Sequence, residues 1–141
     1  MTHHSKTPVL DAIDEVYNLA YWMTGNEATA GMLVSQTYDA LDKNSTLVDL
    51  YKSFRNRYLK AFGQTPVMSD EEAAEIADSD VARAVIMLPT DFKMAVLLAD
   101  VAGLSHHDIA AVLEQPLATV REWLHWGRKL ISKELAEQYQ N

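Results

Sequence analysis

LSHHDIAAVLEQPLATVREWLHWGRKL, residues 104–130, decides the fold. Ser105, with Asp108 three residues later, can cap a short apolar helix to Val112. Glu114-Gln115-Pro116 then turns the chain, and Leu117 opens a long amphipathic helix to about Tyr139. This is the spacing of a helix-turn-helix, in which the first helix braces and the second lies in a DNA major groove. Along the second helix, Leu117, Val120, Leu124, Gly127, Ile131 and Leu135 form one stripe facing a core. The opposite face carries Thr119, Glu122, Trp123, Trp126 and Lys129. Arg121, Arg128, Lys129 and Lys133 against Glu122 give residues 117–133 a local charge of +3, which suits phosphate. The two tryptophans have two readings: they fold back onto neighbouring helices, or they form an apolar patch for a protein partner.

Working outward, the periodicity predicts helices throughout. Val9 to Thr24 has a helical apolar period, Gly25 suits a left-handed C-cap, and Asn26 can cap a second helix over roughly 27–41. Asp42 to Ser45 reads as a loop, and Thr46 can cap a third helix to about Phe62. Gly63, Pro66 and Ser69 break the chain, and Ser69-Asp70-Glu71-Glu72 has the form of a capping box. Val81 to Leu88 reads as a helix stopped by Pro89, and Thr90 is expected to cap another to about Ala102, closed by Gly103. No segment alternates with period two long enough for a strand. The expected fold is all-α: an N-terminal helical domain at 1–62, an acidic linker at 63–80, and a helix-turn-helix domain at 81–141.

Composition narrows the function. A hydrophobic content of 48% with only five Gly and four Pro implies an ordered globular chain. The absence of Cys excludes disulfides and thiolate chemistry and fits a reducing compartment. With no membrane-length apolar run and no signal-peptide pattern, a cytoplasmic protein is expected. The net charge of −8 is unevenly spread. Residues 1–62 and 81–141 each hold six basic and seven acidic residues, so the excess lies in Asp70, Glu71, Glu72, Glu75, Asp78 and Asp80. The flanking halves are near neutral, and each can present a basic face. His3-His4 and His106-His107 lack partner ligands, so no metal is expected. Neither a phosphate loop nor a nucleophile elbow is present, so no catalytic residue and no cofactor are expected. Arg55, Arg57 and Lys60 alternate with Phe54, Tyr58 and Phe62. That mixture suits stacking on unpaired bases beside phosphates, or an ordinary amphipathic helix with extended cations.

Together these residues resemble the extracytoplasmic-function sigma factors, small members of the sigma-70 family of bacterial RNA polymerase. Leu88-Pro89, Gly103-Leu104-Ser105, Ile109-Ala110, Pro116, Thr119-Val120, Leu124-His125 and Arg128-Lys129-Leu130 are similar to the family's −35 reading domain. Ala20 to Asn26 resembles the first turn of its −10 reading domain, Leu33 to Tyr38 the clamp-binding helix, and Leu50 to Asn56 the −10 helix. The resemblance implies a transcription initiation factor, not an enzyme, with RNA polymerase core and promoter DNA as partners. It implies −35 contacts from Thr119, Arg121, Glu122, Trp123, His125, Arg128 and Lys129. It further implies −10 contacts from Lys52, Arg55 and Asn56, and polymerase contacts from Leu33, Gln36 and Tyr38. The acidic linker, with roughly 18 residues at ~3.3 Å each, would reach about 60 Å when extended.

Departures from the family pattern fall on functional surfaces. Met32 replaces an acidic residue before Leu33, the stretch between Tyr38 and Leu50 is short, and Glu114 stands where the turn normally has Gly. Glu122 and Trp123 occupy positions often basic or small. An alternative reading is therefore a sigma mimic that binds an anti-sigma factor or other regulator through Trp123 and Trp126 without reading DNA.

Overall fold

Seven helices make up the residues described by the computed structural model, namely 8–64, 71, 88 and 90–139. They are α1 (Pro8–Asp11), α2 (Ile13–Thr24), α3 (Glu27–Asp39), α4 (Leu47–Phe62), α5 (Thr90–Asp100), α6 (His106–Leu113) and α7 (Leu117–Tyr139). Among the described residues none is in a strand, so the fold is all-α. The capping box at 69–72, the helix expected at 81–88 and most of the acidic linker lie outside the described residues.

Short-range polar chemistry sets the helix ends. Gly25 adopts φ +68° after α2, and its N–H donates to the Tyr21 carbonyl. The Asn26 side chain accepts from the Thr29 N–H at 2.8 Å, starting α3. Thr46 and Asp49 form a reciprocal capping box on α4, at 3.1 and 2.9 Å. Ser105 caps α6 by accepting from the Asp108 N–H at 3.1 Å. Each such cap is worth about 1 kcal/mol. Two expectations need correction. The first helix breaks at Ala12, where the Val9 carbonyl accepts the Tyr38 hydroxyl at 2.6 Å. Thr90 is the first residue of α5 rather than its cap, because its hydroxyl donates to the Gln64 carbonyl.

The turn before α7 is held by Glu114 at φ +54°, ψ +48°, the left-handed region that Gly occupies most easily. Its N–H reaches back to the Ala110 and Ala111 carbonyls. The Gln115 N–H bonds the Ala110 carbonyl at 3.0 Å. These bonds satisfy the end of α6 while the chain reverses into α7.

Packing joins the two halves. α2, α3 and α4 pack in sequence, α5, α6 and α7 pack on one another, and α4 packs against α6. Leu50, Tyr51, Phe54 and Tyr58 of α4 and Ile109, Val112 and Leu113 of α6 belong to one buried cluster. At the same seam, the Arg55 guanidinium lies 3.7 Å from the Asp91 carboxylate. Gly127 is buried where α7 crosses α5, and a Cβ there would stand 2.9 Å from the Val96 Cγ2. A side chain would force these helices apart, so Gly permits the close crossing.

Candidate nucleic-acid interface

The exposed side of α4 and the turn before it build the first candidate surface. Asn44 donates its N–H to the Asp42 carboxylate at 2.8 Å, and the Asp42 N–H donates to the Ser45 hydroxyl at 3.0 Å. This closes a four-residue turn that Thr46 and Asp49 then attach to the helix. Between turn and helix lies a hollow of about 590 Å³, to which Lys52, Asn56, Arg57 and Lys60 contribute donors. These positions follow one another at 4, 1 and 3, so one helical face carries them all. Asp49 also lines the hollow. Backbone hydrogen bonding at Thr46, then the Thr46 hydroxyl, holds its carboxyl below the usual range, which keeps it charged.

Of the three residues expected at the −10 element, the structure brings Lys52 and Asn56 together in this hollow. Arg55 turns the other way, toward Asp91, with its side chain 14% exposed. Its position one residue before Asn56 places it about 100° around the helix. Arg57 and Lys60, expected only as cations alternating with aromatics, share this face through their i+4 and i+8 relation to Lys52, Ser53 and Asn56. Behind that face, Tyr58 is fully buried and its ring lies 6.4 Å from Phe54 and 5.2 Å from Phe62. Burial pushes the Tyr58 phenol up to about 12. The aromatics that alternate with the cations are therefore core, and Phe62 is partly buried against it.

The second surface lies on α7. His106, Arg121, Leu124, His125, Arg128, Lys129 and Ser132 line a hollow of about 350 Å³. Arg121, Glu122, His125, Arg128 and Lys129 are exposed, and Thr119 is half-buried. Arg128 already bonds Asp100 of α5 at 3.0 Å, in a solvent-exposed ion pair. The two tryptophans separate. Trp123 packs edge-on against Phe92 at 5.7 Å and joins the core margin. Trp126 is 48% exposed, with the Lys129 ammonium 5.4 Å from its ring centroid and the His125 ring 5.6 Å away. Trp123 thus takes the first of its two readings, while Trp126 stays on the surface. Val120, Leu124 and Gly127 of the expected apolar stripe are buried, and Leu117 is half-buried.

The expected polymerase-binding set is divided. Leu33 is fully buried in the core of the first three helices. Tyr38 spends its hydroxyl on the Val9 carbonyl, and burial, then Glu15, raises its phenol. Gln36 is half-buried, and Met32, at 47% exposure, is the large side chain that α3 presents outward. Among the described residues, no group of three or more His, Asp or Glu side chains forms a cation site, and no helix is long and apolar enough to cross a membrane.

Residues 79–131 match the family model "Sigma-70, region 4", a span that takes in α5, α6 and α7 as far as residue 131. The chain is 27% identical, over 88% of its length, to the ECF RNA polymerase sigma factor SigE of Mycolicibacterium smegmatis. It is 35% identical, over 49% of its length, to the ECF RNA polymerase sigma-E factor of Escherichia coli K12. The aligned regions cover 58% and 34% of those relatives' own lengths. In fold, the chain is similar to the sigma factor RpoE of Bartonella quintana, solved in complex with the anti-sigma factor NepR. That likeness has a TM-score of 0.70 at 19% identity and covers 96% of this chain and 98% of the other. Taken with the helices and the residue patterns above, residues 79–131 match region 4 of the sigma-70 family, and the chain as a whole is similar in sequence and in fold to extracytoplasmic-function sigma factors.

Proposed function

We propose that this protein acts in transcription initiation by binding RNA polymerase core and promoter DNA, as a binding protein without catalytic chemistry. The observation that carries this reading is the pairing of two cationic hollows in a chain of net charge −8. In this reading α4 serves the −10 element, with Lys52 and Asn56 as the expected contacts joined by Arg57 and Lys60. The framed turn beside them suits an unpaired nucleotide, because it offers a rigid wall and donors on one side. α7 serves the −35 element: Arg121, Arg128 and Lys129 hold phosphates, while Thr119, Glu122 and His125 lie nearer the bases. Gln36 and the outward face of α3 contact polymerase. The domain division at 1–62 and 81–141, joined by the acidic segment, belongs to the same reading, as does a cytoplasmic location.

Run-off transcription with core polymerase on a promoter pool tests it directly. Promoter-dependent transcripts are expected, and DNA affinity should fall with salt at a log–log slope of about −0.9 per phosphate contact. Neither transcripts nor polymerase binding would defeat the reading.

A second reading rests on Trp126. An exposed indole flanked by Lys129 and His125 has the make-up of a protein-binding hot spot. Here the chain is a sigma mimic that engages an anti-sigma factor or another regulator without reading DNA. Trp126→Ala would then weaken a protein complex and leave DNA affinity unchanged; loss of DNA affinity alone would remove this reading.

A further inference from the structure

A third hollow, of about 350 Å³, lies between the start of α2, the start of α4 and the turn from α5 into α6. Its volume suits a small organic group. Unlike the hollows described above it is acidic: Asp11, Glu15 and Asp108 line it, and no Lys, Arg or His does. None of these three carboxylates has an ion-pair partner among the described residues. Glu15 and Asp108 stand in the first turns of their helices, where a negative charge suits the dipole. The dipole does not account for what lies deeper. The Glu15 Oε2 is buried and accepts no hydrogen bond. The Tyr51 side chain lines the same hollow at 2% exposure, and its hydroxyl has no hydrogen-bond partner among the described residues. Burial, then the Glu15 carboxylate and Tyr38, raises the Tyr51 phenol, so Glu15 and Tyr51 share one poorly solvated environment. Two such oxygens in one hollow call for a ligand that is positively charged and rich in N–H groups. A bare metal ion does not fit, because no three His, Asp or Glu among the described residues stand close enough to hold one.

We propose that this hollow binds an organic cation, an alkyl ammonium or guanidinium group. Glu15 and Tyr51 receive its N–H donors, Leu47 and Leu104 cover its alkyl stem, and the exposed Asp11 and Asp108 add charge at the rim. The chemistry matches on both counts: these cations carry three or more donors and no acceptor, and their stems bury readily along apolar walls. Free polyamines carry such a group, and so do the lysine and arginine side chains of polypeptides. Neither functional reading above gives these residues a role.

Calorimetric titration of the full chain tests this with putrescine, spermidine and Nα-acetyl-arginine amide as probes. Tetramethylammonium, which has charge but no N–H, serves as the control. A saturable site is expected for the donors, with tetramethylammonium at least about 10-fold weaker. Binding of the polyamines points to a free amine as the source and binding of the arginine amide to a polypeptide side chain; either supports the site. Tyr51→Phe keeps the ring in the core and removes only the hydroxyl, and should weaken binding about 3–5-fold. Glu15→Gln should weaken it about 10-fold. A saturating probe should raise the unfolding midpoint of the parent and leave that of Glu15→Gln unchanged. Replacing Glu71, Glu72 and Glu75 together by Gln, which removes three charges from the acidic segment, should leave affinity within about 2-fold. The proposal is overturned if no probe saturates, if tetramethylammonium binds equally well, or if neither Tyr51→Phe nor Glu15→Gln weakens binding. Loss of binding in the triple Gln variant alone would also overturn it, by assigning the effect to overall charge.

Discussion

The hollow on α4 and the hollow on α7 carry similar charges on different supports. The first is framed: a hydrogen-bonded turn from Asp42 to Ser45 and the Thr46–Asp49 box fix a wall opposite Lys52 and Asn56. The second is a row along one helix, Arg121, His125, Arg128 and Lys129, with one member already neutralised by Asp100. A framed hollow favours a single compact group such as an unstacked base, whereas a row follows a groove of duplex. On the reading proposed above, what supports the charge, more than the charge itself, divides the work between the halves.

The largest expected effect breaks the support of the second surface alone. Gly127→Leu pushes a side chain into Val96, so α7 must lift from α5. A loss of about 2–3 kcal/mol is expected in urea unfolding, as for overpacked cores. In samples that remain folded, duplex binding should fall while the α4 hollow keeps its affinity for single strands.

Lys93, inside α5 beneath the same surface, gives a pH signature. Burial lowers its ammonium to about 8. Between pH 8 and about 10 the unfolded chain holds a proton that the folded chain releases, so stability should rise with pH by on the order of 1 kcal/mol per unit. Tyr58 acts in the opposite sense at higher pH. Its phenol, raised to about 12, makes stability fall once unfolded tyrosines ionise near pH 10. Urea midpoints at pH 7.5, 8.5 and 9.5 should climb in the parent and flatten in Lys93→Met.

A crossed pair of substitutions sharpens the division of labour. Arg121→Ala should weaken duplex binding about 5–10-fold and reduce the salt slope by about 1, with little effect on a single strand. Lys52→Ala should do the reverse. Equal losses for both ligands in both variants would erase the distinction.

Asp100→Ala should have the smallest effect. The Arg128–Asp100 pair is exposed, so stability should change by less than about 0.5 kcal/mol. Duplex affinity should rise about 2-fold as Arg128 is released to phosphate, which gel shifts at low salt can read.

The contrast between legible and hidden features follows sequence distance. Asn26, Thr46 and Ser105 were readable as caps because each partner lies three residues away. The α7 stripe was readable because a helix repeats its own face, and Glu114 showed where that helix begins. The inward turn of Arg55 was not legible, because its partner, Asp91, lies 36 positions on and across the seam. Tyr38 looked available until the structure brought Val9, 29 residues earlier, to its hydroxyl. Leu33 has nothing in its neighbourhood to distinguish a core leucine from a docking one. Trp123 and Trp126 are almost in register on the helix, and only the position of Phe92 sends one inward. The site is therefore legible as a set of faces, while the choice among neighbouring side chains is made by tertiary packing.

The α4–α6 seam has a further consequence, for behaviour at high concentration. Each half carries an apolar surface that the other half covers. Two molecules opened at once can close on each other, α4 of one against α6 of the next, and reproduce every native contact. Such an exchanged dimer costs no new interface. Its population would depend on concentration and on time spent open, making a trace of dimer in concentrated stocks a report on how often the monomer parts.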